Sequence, residues 1–166
     1  HISVMLAGVF ALICSMGMTA EALQYRIEAL GTLGGSFSRA RSINNNGQIV
    51  GESYTSGGVE HGFSWQSGAI SDLGTSGGIR SRAMDLNSQG HAVGWSNNAS
   101  GTTSPALWKD GQINELPTLG TAGGGAWGIN DHDAVVGNAY VASAVYHAAL
   151  WGDGNVTDLG TLGGTY

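Results

Sequence analysis

Ile43-Asn44-Asn45-Asn46-Gly47-Gln48-Ile49-Val50-Gly51 is followed 43 residues later by Leu86-Asn87-Ser88-Gln89-Gly90-His91-Ala92-Val93-Gly94, and after the same interval by Ile129-Asn130-Asp131-His132-Asp133-Ala134-Val135-Val136-Gly137. The segments align without a gap. Working outward, Asn44, Asn87 and Asn130 fall in register, as do Gly51, Gly94 and Gly137, then Trp65, Trp108 and Trp151, then Leu73, Leu116 and Leu159. A fixed period of roughly 20 to 50 residues marks solenoids, propellers and arrays, whose unit cannot bury its own apolar face and must stack on copies of itself. The repeats run over 30–72, 73–115 and 116–158, and a further copy starts at 159–166. The chain begins at His1 and stops shortly after Leu159-Gly-Thr-Leu-Gly-Gly164 echoes Leu30-Gly-Thr-Leu-Gly-Gly35, so it reads as a piece of a longer protein.

Within one copy, Ser38–Ile43 and Gln48–Tyr54 flank an Asn/Gly turn of the kind that joins twisted antiparallel strands. A third segment, His61-Gly-Phe-Ser-Trp65, recurs as Ser104-Pro-Ala-Leu-Trp108 and His147-Ala-Ala-Leu-Trp151. A glycine turn then leads to Ala69–Leu73, Gln112–Leu116 and Asn155–Leu159, where apolar and polar residues alternate as in a half-buried strand. Four strands per copy define a blade, and residues 23–166 are expected to be all-β, a β-propeller portion of about three blades. An open blade array and a β-trefoil are the alternatives. The Tyr25–Leu30 stretch matches the fourth strand of a blade and is expected to be one.

Residues 1–22 read as a secretory signal peptide shortened at its N-terminus. Ile2–Ala20 carries no charge and ends in small residues around Ala20-Glu-Ala22, a signal-peptidase pattern. The competing reading is a membrane anchor, and Ile13 before Cys14 fits a lipoprotein signal poorly. Cys14 is the chain's one cysteine, so the mature protein has neither disulfide nor thiolate chemistry. A net charge of −6 disfavours nucleic acid, which needs a basic face. Membrane contact is expected only through the leader or a C-terminal anchor outside the sequence. Arg39, Arg41, Arg80 and Arg82 cluster in the first two copies, but Gly125 and Trp127 replace the first pair in the third, so the arginines read as solvated edge protection.

The repeated Leu-Gly-Thr-Leu-Gly-Gly, Ile-Asn-x-x-Gly-x-Ile-Val-Gly and His-Ala-Phe-x-Trp signatures, standing here at Leu30–Gly35, Ile43–Gly51 and His61–Trp65 with His147–Trp151, resemble the HAF-type extracellular repeat family of bacteria. The second copy departs from it with Ser104-Pro105 for His-Ala and Ser76 for Leu33. The resemblance implies an exported, repeat-built protein and supplies no catalytic residues.

Trp65, Trp108 and Trp151 are expected to anchor each blade to the next, not to stack on ligand. His61 and His147 are expected to bond within their own blade to a nearby Thr, Asn or the acid at Asp72 or Asp158, in preference to ligating metal. Asp131-His132-Asp133 resembles a calcium loop but lacks the six or so oxygens one requires, and no metal site is assigned. No catalytic residue and no cofactor is assigned, and the ligand-binding residues are unknown. The expected function is a secreted or cell-surface binding or structural module whose partner is an extracellular glycan or protein. It would be held on the variable loops Thr55–Glu60, Asn97–Thr103 and Val141–Tyr146. The alternative is a polysaccharide-acting hydrolase or lyase whose catalytic blades lie outside the sequence. An isolated set of blades is expected to self-associate through open edges.

Overall fold

A computed structural model describes residues 24–163; the signal-peptide reading of 1–22 lies outside them, as do the last residues of the fourth copy. The described chain holds twelve strands and no helix. The first sheet is β1 (Gly34–Ile43), β2 (Ile49–Thr55), β3 (Glu60–Gln66) and β4 (Ala69–Gly74). The second is β5 (Gly77–Leu86), β6 (Ala92–Asn98), β7 (Thr103–Lys109) and β8 (Gln112–Glu115), and the third is β9 (Gly124–Ile129), β10 (Val135–Ala142), β11 (Val145–Gly152) and β12 (Asn155–Gly160). Each sheet is an antiparallel meander in chain order. The sheets therefore follow the 43-residue period, although β4 runs to Gly74 and the repeat frame cuts it at residue 72.

The turns explain part of the signature. Ser67-Gly68, Asp110-Gly111 and Asp153-Gly154 all hold positive φ at both positions, which a two-residue hairpin of matching twist requires. The Asn side chain organises the other turn. Asn44 Oδ1 accepts from the amides of Asn46 and Gln48, at 3.0 Å each, and Asn87 and Asn130 repeat the pattern. Gly51, Gly94 and Gly137 are needed for close approach: a Cβ there would collide with the carbonyls of Arg39, Arg82 and Gly125 on the neighbouring strand. That crowding sits beside the register shift where Ala40 and Ser42 flank a bulge.

Two apolar layers hold the three sheets together. Val50, Ala83, Leu86, Ala92, Ala106 and Trp108 are buried between the first and second, with Leu73 and Ile113 against them. The second layer contains the residue 43 positions on from every one of these, namely Val93, Ala126, Ile129, Val135, Ala149, Trp151, Leu116 and Val156. It adds Ala139, Leu107 and Leu119. The positions 43 residues earlier hold Ser96, Ser64 and Ser76.

Two expectations are corrected. The β-trefoil requires strands of all copies to share one closed barrel, whereas here each copy keeps its four strands in a sheet of its own. Tyr25–Leu30 is not a strand; it is irregular, with Tyr25 85% and Ile27 97% exposed. Apolar alternation makes a segment able to pair, but no sheet edge among the described residues takes this one up.

Candidate binding cleft at the second junction

The repeat-locked residues are committed to the scaffold. Trp108 is 5% and Trp151 2% exposed. Their Nε1 atoms donate to the Leu73 carbonyl at 2.9 Å and the Pro117 carbonyl at 2.7 Å, in or just past the last strand of the preceding sheet. The anchoring therefore points back along the chain and not forward. Trp65 has no such partner among the described residues and is half-buried. Leu73 and Leu116 pack into the two layers, while Leu159 is exposed. The Asn residues also span the junctions: Asn44 Nδ2 donates to the Asn87 carbonyl at 2.9 Å, and Asn87 Nδ2 to the Asn130 carbonyl at 3.2 Å.

The histidines bond inside their own blades, His61 Nδ1 to Asp72 at 2.8 Å and His147 Nδ1 to Asp158 at 3.0 Å. The His147 bond, with the Gly160 amide, holds the Asp158 carboxyl below its usual pKa. The acids of the third turn brace the second sheet. Asp131 accepts the Ser88 amide at 2.9 Å, which lowers its pKa. Asp133 accepts from Asn87 and Lys109 at 2.8 Å each and sits 2.7 Å from His91 Nδ1. Burial works against its charge, but the bonds from His91 and Lys109 outweigh that and depress its pKa. No group of three or more metal-ligating side chains occurs among the described residues.

The feature that stands apart is a break in the repetition. At the first junction Glu60 of β3 is paired with Arg82 of β5, at 2.7 Å and 3.0 Å through the two ends of the guanidinium. Beside it Glu52, only 1% exposed, takes Arg41 at 2.7 Å and 2.6 Å. That bond holds the Arg41 pKa above its usual value. Arg41 and Arg82 are thus salt-bridge partners of buried acids, whereas the Arg39 side chain stays 55% exposed and Arg80 lies at the surface. At the second junction the residues in register are Thr103 for Glu60, Gly125 for Arg82, Trp95 for Glu52 and Met84 for Arg41.

Removing both members of the Glu60–Arg82 pair opens a recess of about 470 Å³ lined by Trp95, Thr102, Thr103, Ala122, Gly123, Gly124, Trp127, Asn138 and Tyr140. Trp127, 48% exposed, folds its ring over Gly125, where any side chain would meet it, and its Nε1 donates to Asn138 Oδ1 at 2.6 Å. The Arg82 guanidinium, freed from any acid of its own sheet, lies 5.3 Å from the Trp95 ring centroid and fixes that indole from one side. Tyr140 meets Tyr146 edge to face with centroids 6.0 Å apart. An adjoining hollow of about 430 Å³ shares Ala122 and Tyr140 and runs on past Ser143 and Ala144. Two of the three variable loops therefore border the cleft, Asn97–Thr103 and Val141–Tyr146. The third, Thr55–Glu60, ends in the acid that seals the first junction.

Trp95, Trp127, Asn138 and Tyr140 escape a reading of what the copies share, because they mark where the copies differ. The signal was the loss of arginine at Gly125 and Trp127. The cleft offers aromatic faces, one side-chain amide and two threonine hydroxyls, with no ionised side chain among its lining residues. Such a set is suited to stacking and hydrogen bonding. Together, fold and site define an all-β repeat scaffold carrying one aromatic cleft. No protein-family model, curated protein or solved structure matches the chain.

Proposed function

We propose that the chain is part of a secreted or cell-surface repeat protein of the HAF kind, its sheets arranged as blades of a propeller or open array, and that it acts as a binding module for an extracellular glycan. The observation that carries this reading is the exchange of the Glu60–Arg82 ion pair for Thr103 and Gly125, which leaves three aromatic rings facing a recess beside variable loops. The absence of ionised groups from the lining favours a neutral ligand. Sugar rings present C–H faces to aromatic side chains and hydroxyls to amides and threonines, so a neutral oligosaccharide matches the cleft on both counts. A folded protein partner would cover on the order of 800 Å² per side, more than the recess supplies. The hydrolase or lyase alternative places its catalytic blades outside the sequence; within it, Glu52, Glu60, Asp72, Asp131, Asp133 and Asp158 are engaged in structural bonds.

The test is titration with soluble neutral polysaccharides (β-glucan, xylan, mannan), with polygalacturonate as the anionic comparison, followed by tryptophan fluorescence and calorimetry. Saturable binding of a neutral glycan is expected, weakened about tenfold or more by Trp127→Ala, equivalent to roughly 1.4 kcal/mol. The double variant Thr103→Glu/Gly125→Arg restores the ion pair, displaces the Trp127 ring and should abolish binding while leaving the fold intact. Unchanged affinity in that variant overturns the site. Preference for polygalacturonate overturns the ligand class.

A further inference from the structure

The floor of the cleft is a stretch of the third copy that carries almost no side chains. Thr121-Ala122-Gly123-Gly124-Gly125 stands in register with Gly78-Ile79-Arg80-Ser81-Arg82 and with Gly35-Ser36-Phe37-Ser38-Arg39, so small residues replace an isoleucine, a phenylalanine and three arginines. The bare backbone makes room for rings. A side chain at Gly123 would strike the Tyr140 ring, and one at Gly125 the Trp127 ring, so both aromatics lie directly on the floor. The Gly120 amide donates to the Tyr140 carbonyl at 3.0 Å and the Tyr140 amide to the Gly123 carbonyl at 3.4 Å, which ties the floor to β10.

The wall beside this floor is rebuilt as well. Residues 56–59 and 99–102 connect β2 to β3 and β6 to β7, whereas Ser143 and Ala144 alone connect β10 to β11. With the period unchanged, the shorter turn lengthens both strands to 8 residues from the 7 of their counterparts. Tyr140 and Tyr146 pair directly across that lengthened end. The hollow of about 470 Å³ over Trp95 and Trp127 and the hollow of about 430 Å³ along the turn meet at Ala122 and Tyr140. Thr121, Ser143 and Ala144 complete the second hollow, again without an ionised side chain. Each hollow alone has the size of a small-ligand site, about 300–1,000 Å³. Joined at Tyr140, they form one trough.

We infer, on the basis of the glycan reading, that the trough holds a linear neutral oligosaccharide that continues from the first hollow across Tyr140 into the second, where the Thr121 and Ser143 hydroxyls meet the further sugars. A chain already stacked on Trp95 and Trp127 enters the second hollow without a separate association cost, so added sugars strengthen binding until both hollows are filled. A disaccharide uses the first hollow alone.

The test titrates the 166-residue chain by calorimetry with the disaccharide, tetrasaccharide and hexasaccharide of the cello-, xylo- and manno- series. In the series that binds, the hexasaccharide should bind at least about tenfold more tightly than the disaccharide. The variant Thr121→Leu/Ser143→Leu, at two exposed positions, fills the second hollow and removes both hydroxyls. Its affinity for the hexasaccharide should fall to that for the disaccharide, while the disaccharide affinity stays at the parent value and so reports an intact fold. Trp127→Ala should weaken every length. A parent chain whose affinity does not rise with length, a leucine variant that keeps the length advantage, or one that weakens the disaccharide equally would overturn the inference. In each of those cases a loss on Trp127→Ala leaves the first hollow standing as a glycan site. A parent chain that binds no neutral saccharide or polysaccharide overturns the glycan reading itself, and the inference with it.

Discussion

Trp65, Trp108 and Trp151 occupy identical places in the repeat yet should differ sharply when truncated. Trp108 and Trp151 are 5% and 2% exposed, sit in complete apolar layers and donate to a carbonyl in or just past the last strand of the preceding sheet. Replacing either with alanine removes a buried indole from a packed junction, at about 3–5 kcal/mol. Trp65 is half-buried and makes no such bond, so its removal should cost about 1–2 kcal/mol. Trp108→Phe separates the parts: it keeps a ring but loses the 2.9 Å bond to Leu73, and should cost roughly 1–2 kcal/mol. Equilibrium urea unfolding of dilute protein, followed by far-ultraviolet circular dichroism, reads all four. For a slope near 2 kcal/mol/M the alanine variants at 108 and 151 should shift the midpoint by about 1.5–2.5 M, and the variant at 65 by less than about 1 M. Equal shifts at all three positions in dilute solution would refute the claim that burial at a junction, and not the residue type, sets the energy.

Gly94→Ala places a methyl group against the Arg82 carbonyl and should cost about 1–3 kcal/mol, read as a lowered melting temperature. Asn87→Ala removes a 3%-exposed amide that satisfies two turn amides and reaches both Asn130 and Asp133, so about 2–3 kcal/mol should be lost in urea. Asp133 has a depressed pKa in the folded protein, so its contribution is present above the ordinary carboxylate range near pH 4 and is lost as pH falls through the lower folded value. Acid unfolding should therefore steepen below about pH 4, and Asp133→Asn should flatten that limb of the stability profile while costing about 1 kcal/mol at neutral pH.

Most of the scaffold was legible because each junction poses the same physical problem. Asn44, Gly51 and Trp65 recur with their counterparts since a turn, a crowded bulge and a large anchor are needed in every unit, and the strands begin and end close to the segments that hydrophobic alternation marks out. The period carries no direction, however, so that Trp108 reaches back to Leu73 and not forward was not readable. Tyr25–Leu30 shows a second limit: alternation reports the capacity to pair, while a strand also needs an available edge. The arginines show a third. Arg41 and Arg82 look like solvent-facing charges until Glu52 and Glu60, acids from other strands, are brought against them. The cleft lay in the residues that break register, which a search for shared signatures passes over.

The two junctions differ in where their charges are placed, and this explains how one can stand open. At the first, the ion pairs Arg41–Glu52 and Arg82–Glu60 lie toward the β2–β3 loop, and the opposite end is tied by the neutral amides of Asn44 and Asn46, which donate to the Asn87 and Ser88 carbonyls. At the second, the charges lie at that opposite end, where Asp133 gathers Lys109, His91 and Asn87. Gly90, Gln66 and Gln48 stand in register with Asp133, Lys109 and His91, so the first junction cannot make that cluster. The second junction also replaces Ser96, Ser64 and Ser76 by Ala139, Leu107 and Leu119, which enlarge its apolar layer. Both changes hold the second and third sheets together at a distance from the loop end. The recess lined by Trp95, Trp127 and Tyr140 is therefore not the loosened edge of a weaker contact. It is the end of a junction whose attachment has moved elsewhere, and a ligand can occupy it without competing with the contacts that keep the sheets stacked.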